Sequence, residues 1–227
     1  MSGLADILRK QLAAVADPSR APAMQAYMKS AMPYLGVSAV PLRAVCKQVL
    51  ADLDYPSPEA WRDDVLTLWR GAEYREERYA ATELTGIRAA RPFQRIEALP
   101  MYEEMIVTGA WWDHVDAIAT LRLWTLLQND PVPMKRAMME WAQGDDMWKR
   151  RSAILCQIKG KAATDLDFLY ACIEPSVDSK EFFLRKAIGW ALRQYAWTDP
   201  AEVRRYVAAH EDRLSGLSKR EALKNIK

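Results

Sequence analysis

Between its proline and glycine breakers, almost every stretch of this chain places apolar residues at helical spacing, and no useful run alternates as a strand would. The periodicity predicts helices over about 4–15, 22–32, 41–53, 58–70, 73–90, 100–108, 112–128, 132–143, 147–160, 164–173, 179–197, 199–209 and 218–226. Breaks fall at Asp17-Pro18, Tyr55-Pro56, Arg91-Pro92, Asp130-Pro131, Glu174-Pro175 and Asp199-Pro200. In the last of these, Asp199 is placed to cap a helix that opens on Pro200.

A longer period overlies the helical one. Alanine recurs on one face of successive helices at Ala44, Ala80, Ala117, Ala153 and Ala187, at spacings of 36, 37, 36 and 34. Repeats of this length are stacked helical pairs, none of which can bury its apolar face alone. The expected fold is an all-α curved solenoid of helical hairpins, one continuous domain over 1–227, with the marker helices sharing a concave surface. Positions −1, +3 and +6 from each marker lie on one helical face. They hold Arg43, Lys47 and Leu50, then Tyr79, Glu83 and Gly86, then Asp116, Thr120 and Leu123. The last two repeats hold Ser152, Cys156 and Lys159, then Lys186, Trp190 and Arg193. Much of that face is polar, cationic or aromatic, as a binding surface would be.

Composition narrows the function. Half of the residues are hydrophobic and 27% charged, which suits a folded globular chain. No apolar run approaches the ~20 residues of a membrane span, and the amphipathic N-terminus lacks the core of a signal peptide. A cytoplasmic protein is expected. Cys46, Cys156 and Cys172 form no Cys-x-x-Cys pair and read as reduced core thiols. With only His114 and His210, no zinc-ligand spacing exists, so no metal is expected. Glycine-rich phosphate loops are absent too, which argues against a nucleotide cofactor. The net charge of +2 is unevenly spread: residues 1–146 hold 16 Lys and Arg against 20 Asp and Glu, and residues 147–227 hold 16 against 10. A basic C-terminal third suits a polyanion, although solvated helical faces are often basic as well.

Two constellations carry candidate chemistry. Trp111-Trp112-Asp113-His114-Val115-Asp116 opens a helix. The helix dipole accounts for Asp113, but leaves Asp116 either a second first-turn acid or a carboxylate facing a cationic reaction centre. Lys186, Trp190, Arg193 and Trp197 form a stripe of cations and flat rings. Such a stripe grips a sugar-phosphate backbone, while tryptophan is just as often core. Arg151 shares its register with Arg185 and is expected to join the same surface, whereas Arg150 reads as solvated decoration.

These residues resemble the AlkD family of DNA alkylation-repair glycosylases, built from HEAT-like repeats. The likeness runs through Met24-Gln25-Ala26-Tyr27-Met28-Lys29, the Trp111–Asp116 block and Arg151-Ser152-Ala153-Ile154-Leu155. It continues in Ser179-Lys180-Glu181-Phe182-Phe183, Lys186-Ala187-Ile188-Gly189-Trp190-Ala191-Leu192-Arg193 and Leu217-Ser218-Lys219-Arg220-Glu221-Ala222. The resemblance implies a monofunctional, cofactor-free glycosylase, expected to be monomeric, that frees cationic N3- and N7-alkylated purines from duplex DNA. By motif, Asp116 is the catalytic carboxylate, and Trp112 and Trp190 cradle the deoxyribose. Arg151 is similar to an arginine near the active site, Lys159 and Arg193 to backbone contacts beside Lys186, and Tyr27 to an N-terminal contact. The family is held to act without drawing the base into a snug pocket. His114 and Arg150 depart from the usual pattern without removing a functional residue. Two other classes stay open: a non-catalytic scaffold for damaged or branched DNA, and a protein-binding helical repeat.

Overall fold

The computed structural model describes residues 3–226. These residues form fourteen α-helices with short 3₁₀ and π turns, and no strand occurs among them. None of the helices is long and apolar enough to cross a membrane. The chain divides into two compact units, Met1–Gln94 and Arg95–Lys227.

Within the first unit lie α1 (Leu4–Ala14), α2 (Ala21–Met28), α3 (Ala39–Leu50), α4 (Pro58–Arg70) and α5 (Arg75–Leu84), followed by a 3₁₀ turn over Arg88–Phe93. Ser57 caps α4 by accepting from the Ala60 N–H, with Pro58 at the first helical position. α1 packs on α3, α4 and α5 and buries Leu8 and Leu12, while Trp61, Trp69 and Leu84 of α4 and α5 are also fully buried. Several expected helices are shorter than their periodicity, and two show the reason. α2 stops at Met28 because Lys29 turns left-handed and Met32 precedes Pro33, which disfavours helical backbone. α5 stops at Leu84 because Thr85 and Gly86 turn the chain, and Gln94 donates to the Thr85 carbonyl.

The loop before α3 is fastened from below. Fully buried Glu76 accepts the backbone N–H groups of Leu35, Gly36 and Val37 at 3.0, 2.9 and 3.0 Å. Gly36 sits at φ +82°, where a Cβ would meet the Asp17 carbonyl oxygen at 1.9 Å, so only glycine fits. Beside it, buried Glu77 accepts from the Nε and Nη2 of Arg9, each at 3.0 Å.

The second unit runs through α6 (Leu99–Gly109), α7 (Trp112–Ala117), a π turn over Ile118–Leu123, α8 (Trp124–Asn129), α9 (Pro131–Gln143) and α10 (Met147–Leu155). It continues with α11 (Leu166–Ile173), α12 (Phe182–Tyr195), α13 (Pro200–Ala209) and α14 (Gly216–Leu223). Asp146, Asp165 and Asp199 cap α10, α11 and α13 through their side chains. Marker helices pack on one another in sequence, α3 on α5 in the first unit and α7 on α10 on α12 in the second. That order is the stacking the repeat predicts.

The shared face is less uniform than its register suggests. Ala80, Ala153 and Ala187 are buried, but Ala44 is exposed, since α3 turns Leu42, Val45, Cys46 and Leu50 inward instead. First repeats commonly depart from the pattern of inner ones. Thr120 and Leu123 also fall into the core, because the π turn adds a residue to the cycle and rotates the helix beyond Ala117. Ser152 and Cys156 are buried as well, bonded to the carbonyls of Trp148 and Ala153. All three cysteines are free and buried; burial pushes the Cys46 and Cys172 thiols up to about 12.

Candidate active site

The π turn begins at Ile118, two residues after Asp116, so the short α7 presents only Trp112 through Ala117 as regular helix. Trp112 and Asp116, four residues apart, share one face of it. Asp116 reaches α10: the Nε and Nη2 of Arg151 donate to its two carboxylate oxygens at 2.7 and 2.8 Å. The remaining Nη1 of Arg151 donates to the Phe183 carbonyl of α12 at 2.6 Å. One guanidinium thereby ties three successive marker helices together.

Beneath that pair lies an aromatic cluster. Trp111 packs on Trp148 and Phe183 with ring centroids 6.1 and 5.4 Å apart, and Trp148 meets Phe183 at 4.9 Å. The Arg151 guanidinium stands 5.9 Å from the Phe183 ring. Its side chain is 6% exposed and that of Asp116 17%, so the carboxylate is largely dry yet open at one edge. Burial pushes the Asp116 carboxyl above its ordinary range; the hydrogen bonds and charge of Arg151 draw it back, and Asp113 adds to the rise.

Arg151 therefore differs from the surface cation its register suggests. Its Nε and Nη2 are engaged by Asp116 and its Nη1 by a backbone carbonyl, so the guanidinium is turned into the protein. It lies beside Asp116, the candidate acid.

α12 carries the second constellation. Lys186, Trp190 and Arg193 are all half-buried, whereas Trp197 lies beyond the helix end and is 71% exposed. Trp190 is two turns past Phe183 and so falls on roughly the same side of α12. Lys186 and Arg193 both bond Glu221 of α14, the first at 3.0 Å. These partners hold the Glu221 carboxyl below its usual range, Lys186 above all. The close approach needs Gly189: a Cβ there would come within 2.5 Å of the Glu221 Cβ and 2.9 Å of the Ser218 carbonyl oxygen. Lys159 is exposed in the turn after α10. Tyr27 belongs to the first unit, where it is 76% exposed on α2.

Sequence reasoning missed Glu221 and Phe183 as site residues. A signal for the first existed, in an acid within the basic C-terminal third and a glycine in the middle of α12. Phe183 contributes a backbone carbonyl, which no side-chain pattern can announce. Among the described residues, no group of three or more His, Cys, Asp and Glu side chains could hold a metal ion.

The chain matches the family model described as DNA alkylation repair enzyme over residues 8–226. No protein of curated function matches it significantly. Among solved structures it is similar to the "predicted DNA alkylation repair enzyme" of Enterococcus faecalis, at 28% identity and a TM-score of 0.83. That similarity covers 93% of this chain and 96% of the other.

Proposed function

The chain belongs to the DNA alkylation repair enzyme family, and from that premise we propose that it is a monofunctional DNA glycosylase of cationic N3- and N7-alkylated purines. The observation that carries this reading is the dry, open-edged Asp116 carboxylate, held by both donors of Arg151 on a helix that also bears Trp112.

Alkylation at N3 or N7 puts a positive charge on the purine, so the base leaves without needing a strong acid. The N-glycosidic bond breaks, its electron pair departs with the now neutral base, and positive charge builds on the deoxyribose. Water then adds at the anomeric carbon and releases a proton. In this reading Asp116 stabilises the oxocarbenium-like sugar and orients the water. Opposite unit charges at ~4 Å and an effective dielectric near 20 attract by about 4 kcal/mol before desolvation. Arg151 acts as a positioning residue: it keeps the carboxylate ionised and fixes its plane. Trp112 and Trp190 are proposed to flank the sugar, their faces attracting its charge. Lys159, Lys186 and Arg193 are proposed to hold backbone phosphates, with Tyr27 as a further contact and the enzyme acting as a monomer on cytoplasmic DNA.

The deciding measurement is single-turnover release of 7-methylguanine from methylated duplex, wild type against Asp116→Asn. Asparagine keeps an acceptor for Arg151, so the variant should bind duplex yet release base about 100- to 1000-fold more slowly. Full activity in a folded Asp116→Asn protein would remove the carboxylate from the chemistry. A scaffold without catalysis would bind and release nothing, and a protein-binding repeat would not bind duplex even at low salt.

A further inference from the structure

One member of the α12 stripe has no part in the chemistry above. Trp197 is 71% exposed, and its side chain has no ring, ionic or hydrogen-bond partner among the described residues. It follows Trp190 by seven residues, so the two positions lie within ~20° of each other around the helix axis and about 10 Å apart along it. Helical backbone continues through Ala196, at φ −58° and ψ −20°, whose N–H donates to the Leu192 carbonyl at 2.9 Å. Trp197 therefore stays on the face that carries Trp190.

The surroundings of this ring suit a cation. It stands at the C-terminus of α12, the negative end of the helix dipole, and Asp199, the cap of α13, follows two residues later. Glu221 already offsets Lys186 and Arg193, the two cations that precede it on the stripe. A flat, electron-rich face in such a place favours a flat cation, and tryptophan offers the best such face among side chains. Alkylation at N3 or N7 turns a purine into that ligand, planar and positively charged. In the proposed chemistry Asp116, Arg151, Trp112 and Trp190 serve the sugar, and no residue holds the base.

We propose that Trp197 is a base subsite, an open platform on which the cationic alkylpurine stacks while Trp112 and Trp190 flank its deoxyribose. The proposal rests on the alkylpurine reading above. It needs no enclosing pocket, because one exposed ring face suffices. Stacking alone tolerates every base, so the discrimination comes from charge: the positive purine is held more tightly than a neutral one of the same shape.

The test compares two duplexes by fluorescence anisotropy on the full chain. One carries a single 7-methylguanine on a 2′-fluorinated sugar, which resists cleavage, and the other its neutral isostere 7-methyl-7-deazaguanine on the same sugar. Wild type should bind the charged base more tightly, and Trp197→Ala should shrink that preference by about three- to tenfold. Trp197→Phe should keep part of it, since a weaker ring face remains. A wild type without the preference, an equal loss of affinity for both duplexes in Trp197→Ala, or a preference that the substitution leaves unchanged would each overturn the proposal. If Trp197→Ala fails to fold, Trp197→Phe decides: a reduced preference supports the platform and an unchanged one refutes it. Neither duplex has to be cleaved. A wild type that shows the Trp197-dependent preference but releases no base from methylated DNA defeats the glycosylase reading alone, and one that releases base with no part for Trp197 defeats this proposal alone.

Discussion

Arg151 shows how much a single side chain settles in this molecule. Its three donor nitrogens reach two helices, and breaking such a buried pair by removing one partner costs about 3–5 kcal/mol. It also sets the titration of the acid it holds. Because the Asp116 carboxyl is raised, and the proposed chemistry needs it ionised, base release should fall as pH drops through that raised value. Arg151→Gln deletes the influence that lowers it, so the acid limb of the single-turnover pH profile should move to higher pH. A limb that stays put, or moves down, would separate Arg151 from the ionisation of Asp116. Glu221 has the converse role, since it occupies Lys186 and Arg193, the cations proposed to hold phosphate. Glu221→Gln should free Lys186 and Arg193 and tighten binding of undamaged duplex severalfold, read by anisotropy at low salt; weaker binding would mean that Glu221 builds the phosphate site instead of blocking it.

At the scale of elements, the site depends on how closely helices approach. α12 and α14 meet over Gly189, and Gly189→Ala would drive a methyl group into the Glu221 Cβ and the Ser218 backbone. Overpacking of this kind costs about 1–3 kcal/mol, or roughly 2–4 °C of melting temperature per kcal/mol in a chain of this size. A calorimetric scan showing no loss would mean that α14 shifts freely, and the Lys186–Glu221 bond would then be incidental. The π turn after Ala117 works in the same way on α7. By rotating the next residues inward it leaves Trp112 and Asp116 as the outward part of that helix, so the site is built from one short element and the helix it is bonded to.

At the scale of the whole molecule, the two compact units carry different side chains on similar helices. Residues 95–227 hold the carboxylate, its arginine and both tryptophans, and residues 1–94 hold an open groove lined by Arg43, Lys47 and Arg88. In the first unit, loss of Glu76 would leave two buried backbone N–H groups and one half-buried one without acceptors, at about 1–3 kcal/mol for each buried group. Glu76→Ala should therefore destabilise by at least about 2 kcal/mol. Hydrogen exchange should show the lost protection first in residues 1–94; equal loss throughout would mean that the units unfold together.

Helix content, most boundaries, the cap at Asp199 and the stacking order of the marker helices come from the sequence alone. Each depends on residues a few positions apart, where periodicity, capping and proline sterics act directly. The pairing of Asp116 with Arg151, 35 residues away, depends instead on which faces two helices turn toward each other. Only the tertiary structure decided that Arg151 points inward, that Glu221 already holds Lys186 and Arg193, and that the Phe183 carbonyl completes the site. Ion pairing across helices is set by interhelical distance and local dielectric, and a backbone acceptor carries no residue identity for a sequence pattern to display.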